Sequence, residues 1–297
     1  MTELGSGDLV ADRRAAYAEA LARSGDLAAA AELMAQALEI APGWVAGRSL
    51  YARYLADSGA RAAAIAEWQL VADTDSAGIF GAKLALAALG AAEPEPDPRY
   101  VAALFDDYAP RFETALRDKL RYRTPEALVE ALQATGFSGA MRTLDLGCGT
   151  GLMGVALGGL AGTLEGVDLS GRMLAEARAK GIYARLVEDN LLAFLGAEET
   201  PADLIVAADV LNYLGPLGPV FAAVRPKLAQ GGRFAFSLEA HDGAEELVVG
   251  DSLRFRHNGA AARALAHQAG FRVLHFAETV LREDRGVPVR GALVVLG

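Results

Sequence analysis

The chain has 297 residues, with 28 Lys and Arg against 38 Asp and Glu for a net charge of −10, and 53% of its residues are hydrophobic. At roughly 150 residues per domain this length predicts about two domains, and the acidic balance excludes a nucleic-acid surface, which needs clustered Lys and Arg. No apolar run reaches the roughly 18–20 residues that span a bilayer, the polar start Met1–Asp8 lacks the basic-then-apolar order of a secretory signal, and a single Cys148 with four scattered His excludes a disulfide or a thiolate metal site.

The expectation is therefore a cytoplasmic protein with no membrane, nucleic-acid or metal partner. Shifting the N-terminal region by 34 residues superimposes Tyr17 on Tyr51, Ala18 on Ala52, Leu21 on Leu55, Ser24-Gly25 on Ser58-Gly59 and Ala30 on Ala64. Each unit reads as helix, glycine turn, helix, with Met34 or Trp68 as the large apolar side chain of the second helix. This segment resembles the tetratricopeptide repeat, in which small residues let two antiparallel helices approach closely. Residues 1–92 are expected to form the helical-repeat domain, with a third, capping helix from Ala77 to Leu89.

The alternation of acid and proline over Glu93-Pro94-Glu95-Pro96-Asp97-Pro98 disfavours helix and marks a linker at 93–99. Helical periodicity returns in 100–140, interrupted at Thr124-Pro125, where proline suits a helix start. From 141 to 297 short β-rich runs alternate with helical stretches. Strands are predicted at 143–147, 164–168, 184–188, 203–208, 233–238, 272–280 and 287–296. Strand and helix alternating in this way predict an α/β domain with a parallel sheet covered on both faces.

The first of these strands runs into Leu144-Asp145-Leu146-Gly147-Cys148-Gly149-Thr150-Gly151 and then a helix from about Leu152. Alternate glycines at a strand-to-helix turn let a ligand approach the backbone. The stretch from Gly149 to Gly154 also satisfies G-x-G-x-x-G, with Asp168 following 19 residues after Gly149, so a nicotinamide-dependent oxidoreductase is one candidate. Asp145 argues against it, because a carboxylate beside the turn repels a pyrophosphate and attracts an ammonium. A ligand that joins adenosine to a charged amino acid is S-adenosylmethionine.

The eight residues from Leu144 to Gly151 resemble the class I S-adenosylmethionine-dependent methyltransferases, and the whole arrangement resembles methyltransferases that also carry tetratricopeptide repeats. The resemblance implies a Rossmann-like fold of seven strands, mostly parallel with the last antiparallel, behind an all-α repeat domain, and S-adenosylmethionine as cofactor. It implies cofactor contacts from Asp145, Gly147, Cys148, Gly149 and Gly151, with Cys148 as a small packed side chain. It further implies Asp168 on the ribose hydroxyls with Leu169 beside it, Met173 against the adenine, and Glu188, Asp189 and Asn190 near the adenine amino group. Asp209 borders both cofactor and acceptor, and Tyr108 and Phe112 help close a cleft that Tyr122 lines.

Methyl transfer is an in-line displacement in which positioning and desolvation dominate. A hydroxyl or ammonium acceptor also needs a base. His241 and His257 are the candidate bases, Tyr213 is a third candidate catalytic residue in the Asp209–Leu214 loop, and His267 and His275 read as structural. The acceptor is expected to be a small molecule, with the repeats free to recruit a protein or form a homodimer. A noncatalytic adaptor or cofactor sensor is the alternative from another class.

Overall fold

The computed structural model describes residues 5–113, 122–284 and 286–297. It divides into a helical unit, residues 1–100 with Asp251–Leu253, and an α/β unit, 101–250 with 254–297.

The helical unit contains α1 (Leu9–Arg23), α2 (Leu27–Ile40), α3 (Val45–Asp57), α4 (Arg61–Thr74) and α5 (Ala82–Ala88), each packed against the next. Asp8 caps α1 by accepting from the N–H groups of Val10 and Ala11, and Asp26 caps α2 by accepting from Ala29. Left-handed Gly25 and Gly59 reverse the chain between the helices of each pair. Ala18, Ala30, Ala52 and Ala64 have no exposed surface, and Met34 and Trp68 fill the space between the helices. The capping helix is shorter than the expected 77–89, because Gly78 and Gly81 adopt positive φ before it.

Helix α6 (Pro98–Tyr108) leads into the α/β unit, followed by α7 (Thr124–Ala134), which starts with proline in its first turn. The first strands are β1 (Arg142–Leu146), β2 (Thr163–Asp168), β3 (Arg185–Glu188), β4 (Ala202–Ala207) and β5 (Leu228–His241). They alternate with α8 (Leu152–Leu157), α9 (Gly171–Ala179), α10 (Leu191–Ala197) and α11 (Leu217–Val224). Then come β6 (Leu247–Val249), β7 (Phe255–Asn258), α12 (Gly259–Gln268), β8 (Val273–Asp284) and β9 (Val287–Leu296).

Among the described residues the sheet has nine strands, ordered β3-β2-β1-β4-β5-β7-β6, with β9 pairing both β5 and β8. Strands β1 to β5 are parallel, β9 runs antiparallel to β5 and β8, and β6 antiparallel to β7. This is the Rossmann-like arrangement expected, with a correction to seven strands. Strands β6 and β7 hold three and four residues, too few to show an alternating pattern.

Leu144, Leu146, Ile205, Phe234 and Phe236 face a core built with Phe194 of α10, Val220 and Phe221 of α11 and Ala266 of α12. Leu164, Leu204, Val206 and Ala235 face the other core, with Leu128 of α7 and Met153 of α8. Asp145 is buried on β1 between Leu144 and Leu146, so alternation turns it toward this second face.

Candidate active site

The turn after β1 is built on Gly147, Gly149 and Gly151, with φ of 64°, 54° and 91°. This left-handed region is costly for any residue with a Cβ. A Cβ at Gly147 would come within 2.5 Å of the Val210 side chain, whereas one at Gly149 would meet nothing within 4 Å, so the turn at Gly149 faces open space. Cys148 is 5% exposed, and burial raises its thiol pKa well above the ordinary value, so it is a packed thiol and not a thiolate nucleophile.

Asp145 is 1% exposed. Tyr183 Oη donates to its Oδ2 at 2.6 Å. Burial, against the lowering effect of this hydrogen bond and with a further raising effect from Asp168, pushes Asp145 up to about 7. Lys180 Nζ, just past the end of α9, is engaged by Glu113. Among the described residues no cation pairs with Asp145, which leaves a buried carboxylate without a counter-charge.

Asp168 stands at the end of β2. Its Oδ2 accepts from the backbone N–H of Gly149 at 2.8 Å and its Oδ1 from that of Ser170 at 2.9 Å. Burial raises its pKa although three backbone donors oppose the shift. Ser170 caps α9 by accepting from the N–H of Met173, and its own hydroxyl donates to Asp106 of α6 at 2.6 Å. Asp106 therefore holds α6 against the start of α9, while Glu113 meets Lys180 just past its end. Leu169 is partly buried and Met173 has no exposed surface.

Glu188 pairs in register with Asp168, and a Cβ at Gly171 would lie 2.7 Å from its Oε2. The Asp189 N–H donates to the Asp168 carbonyl at 3.1 Å, and Asn190 caps α10 by accepting from Leu192. Asp145, the glycine turn, Asp168, Glu188 and Asp189 thus gather at the C-terminal edge of β1, β2 and β3. Tyr108 lies at the end of α6, edge-on to Phe112 at 5.5 Å with the Arg111 guanidinium over its ring at 5.4 Å.

A second polar cluster follows β4. Asp209 has φ of 56°, its N–H donates to Ser237 Oγ at 2.8 Å, and that hydroxyl donates to Asp209 Oδ1 at 3.1 Å. Arg282 lies 3.2 Å from the other oxygen of Asp209 and also binds the buried Glu239. Arg254 Nε lies 2.7 Å from Glu239 Oε1 as an ion pair without hydrogen-bond alignment. Tyr122 is hydrogen-bonded to Asp209, and burial followed by the Asp209 charge raises its pKa. Tyr213 packs edge-on to Phe105 at 5.3 Å and bonds Arg254.

His257 is 1% exposed, with Nε2 2.8 Å from the Gly215 carbonyl and Nδ1 without a partner among the described residues. Burial lowers its pKa, so the ring is neutral at pH 7 with the Nε2 proton on Gly215. His241 ends β5, and its Nδ1 accepts from the Gly243 N–H at 3.1 Å.

Sequence reasoning missed Tyr183, Asp106, Glu239, Arg254 and Arg282. None has a local signal, because Tyr183 meets Asp145 across 38 residues and Ser170 meets Asp106 across 64.

Residues 144–234 match the model of the methyltransferase domain family. The chain is 34% identical over 107 residues to a ribosomal protein L11 methyltransferase of Shewanella denitrificans, covering 35% of this chain and 36% of that protein. It is 29% identical over 154 residues to a malonyl-acyl-carrier-protein O-methyltransferase of Enterobacter lignolyticus, covering 52% of this chain and 59% of that protein. The matches therefore span between about a third and three fifths of these relatives. In fold, the chain is similar to the crystal structure of the cyclase SpnF, with a TM-score of 0.56 at 15% identity, covering 68% of this chain and 97% of that one.

Proposed function

We propose that the protein is an S-adenosylmethionine-dependent methyltransferase that acts on a small-molecule acceptor. The observation that carries this is Asp145, a buried carboxylate with no cation beside it among the described residues, next to a left-handed glycine turn tied to Asp168. An amino-acid ammonium supplies the missing counter-charge, and vicinal hydroxyls suit a carboxylate at the end of the second parallel strand. The match of residues 144–234 to the methyltransferase domain family and the methyltransferase relatives support the same chemistry. A pyrophosphate would meet Asp145 as a like charge, which disfavours the nicotinamide alternative.

In this proposal Asp145 receives the ammonium, Gly147, Cys148, Gly149 and Gly151 offer their backbone, and Asp168 with Leu169 takes the ribose. Met173, Glu188, Asp189 and Asn190 surround the adenine, while Tyr108 and Asp209 border the cleft. The cofactor, when bound, supplies a sulfonium methyl group open to in-line displacement. Tyr213, held by Phe105 and Arg254, orients the acceptor. His241 and His257 are the residues proposed to accept a proton, and the neutral His257 carries its lone pair on Nδ1. The helical unit is proposed to be a tetratricopeptide-type arm for a protein partner or a second copy, and the protein to act in the cytoplasm.

Calorimetric titration with S-adenosylmethionine, S-adenosylhomocysteine and NADH tests the assignment. Micromolar binding of the sulfur ligands alone is expected. Tight NADH binding, or no binding of either sulfur ligand, overturns it.

A further inference from the structure

The ring of Tyr183 lies in a slot made by three glycines from three elements. A Cβ at Gly151 would lie 3.0 Å from its Cε2, one at Gly154 of α8 2.7 Å from its Oη, and one at Gly166 of β2 3.0 Å from its Cε1. A side chain at Gly154 would overlap the hydroxyl and one at Gly151 or Gly166 would crowd the ring edge, so the slot fixes where the hydroxyl points. It points at Asp145 Oδ2, 2.6 Å away. Val206 of β4 and Gly166 of β2 are the register neighbours of Asp145 on β1, so neither flanking strand offers it a polar side chain there.

Resting on the methyltransferase assignment, we infer that Tyr183 is a positioning residue for ligand recognition. Its slotted hydroxyl fixes one oxygen of Asp145 and makes that buried carboxylate a receptor for the alkylammonium group of the ligand. The other groups that act on Asp145 or its surroundings come from each neighbouring element. Asp168 from β2 and Cys148 from the turn are acidic or neutral, Lys180 at the end of α9 is held by Glu113, and Asp106 of α6 acts on Asp168. Helix α8, Leu152–Leu157, has no charged residue. Tyr183 thus opposes the burial that drives Asp145 toward its neutral form, in which it cannot pair with an ammonium.

The test uses the full chain and its Tyr183→Phe variant, in which the phenyl ring still fills the slot. Binding of S-adenosylhomocysteine, which carries the ammonium, is compared with 5′-methylthioadenosine, which lacks it, from pH 6 to 9. The variant is expected to bind the amino-acid ligand about tenfold more weakly at pH 7, the loss of roughly one charge-assisted hydrogen bond. Its affinity for methylthioadenosine is expected to stay unchanged. The pH below which the amino-acid ligand weakens moves up by about one unit, and carbon-13 NMR of the ligand-free protein shows the Asp145 carboxyl titrating higher by the same amount.

Equal weakening of both ligands, or an unchanged affinity and pH midpoint in a wild type that binds, overturns the role of Tyr183 alone. Failure of the wild type to bind S-adenosylhomocysteine overturns the methyltransferase assignment, and the role with it.

Discussion

The backbone N–H of Gly149 donates to the Asp168 carboxylate at 2.8 Å, so the carboxylate at the end of β2 holds the turn that follows β1. One side chain thereby shapes the backbone cradle and stands at its edge. Asp168→Ala is expected to weaken S-adenosylhomocysteine at least about a hundredfold and to cost roughly 1–2 kcal/mol of stability, because buried N–H groups lose their acceptor. Asp168→Asn, which keeps one acceptor oxygen, is expected to recover the stability but only part of the affinity. Calorimetric titration and thermal unfolding measure the two effects separately.

The pH dependence of the ligand-free protein follows from Asp145. Its folded pKa is pushed up to about 7 from an ordinary 3.8, so between those values the folded state holds a proton that the unfolded chain has lost. Stability therefore falls as pH rises through this window, by an amount on the order of a few kcal/mol. Asp145→Asn is expected to raise the thermal midpoint above pH 7, to leave it unchanged near about pH 4, and to abolish amino-acid ligand binding. A midpoint difference that does not depend on pH would contradict this.

At the opposite edge of the sheet, Arg142 and Arg185 each pair with both Glu165 and Glu198 in a closed ring. Burial alone would raise the two carboxyl pKa values, but the guanidiniums win and hold both below the ordinary value. The stabilisation is therefore complete above the ordinary carboxylate range and is lost as pH falls through the lowered values. Glu165→Gln is expected to cost about 1–3 kcal/mol near neutral pH and to leave ligand affinity unchanged, which denaturant unfolding alongside calorimetry would check.

Glu239 is 1% exposed and is shared by Arg254 and Arg282, themselves 17% and 7% exposed. Glu239→Gln leaves two guanidiniums without their shared counter-charge and is expected to cost about 3–5 kcal/mol. Because Tyr213 bonds Arg254, acceptor turnover should fall further than cofactor affinity. Equal loss of both would show that the cluster serves the fold alone.

Much of this architecture was legible before any coordinates. Positive-φ turns accept few residues besides glycine, so Gly147, Gly149 and Gly151 after an apolar strand announce the turn directly. The carboxylate of Asp168 was legible because it closes the second β-rich run, 19 residues after Gly149, as the acidic residue of the resembling family does. Strands β6 and β7 were not legible, since their few residues include Arg256 and His257, which mask any alternation. Part of the helical stretch expected before Thr124-Pro125, residues 114–121, lies outside the described residues, so of that stretch Tyr108, Phe112 and Tyr122 bear on the site.

The sequence by itself determined the α/β order, the helical N-terminal unit, the glycine turn and the identity of Asp145, because each depends on chain-local sterics and periodicity. Only the tertiary structure decided that Asp145 has Tyr183 and, among the described residues, no cation as its neighbour, that Asp106 holds α6 against α9, and that Arg254 and Arg282 converge on Glu239. Those pairings join residues 15 to 64 positions apart, and nothing local requires them. They exist because burial makes an unpartnered charge costly, and the folded chain alone sets which partner is within reach.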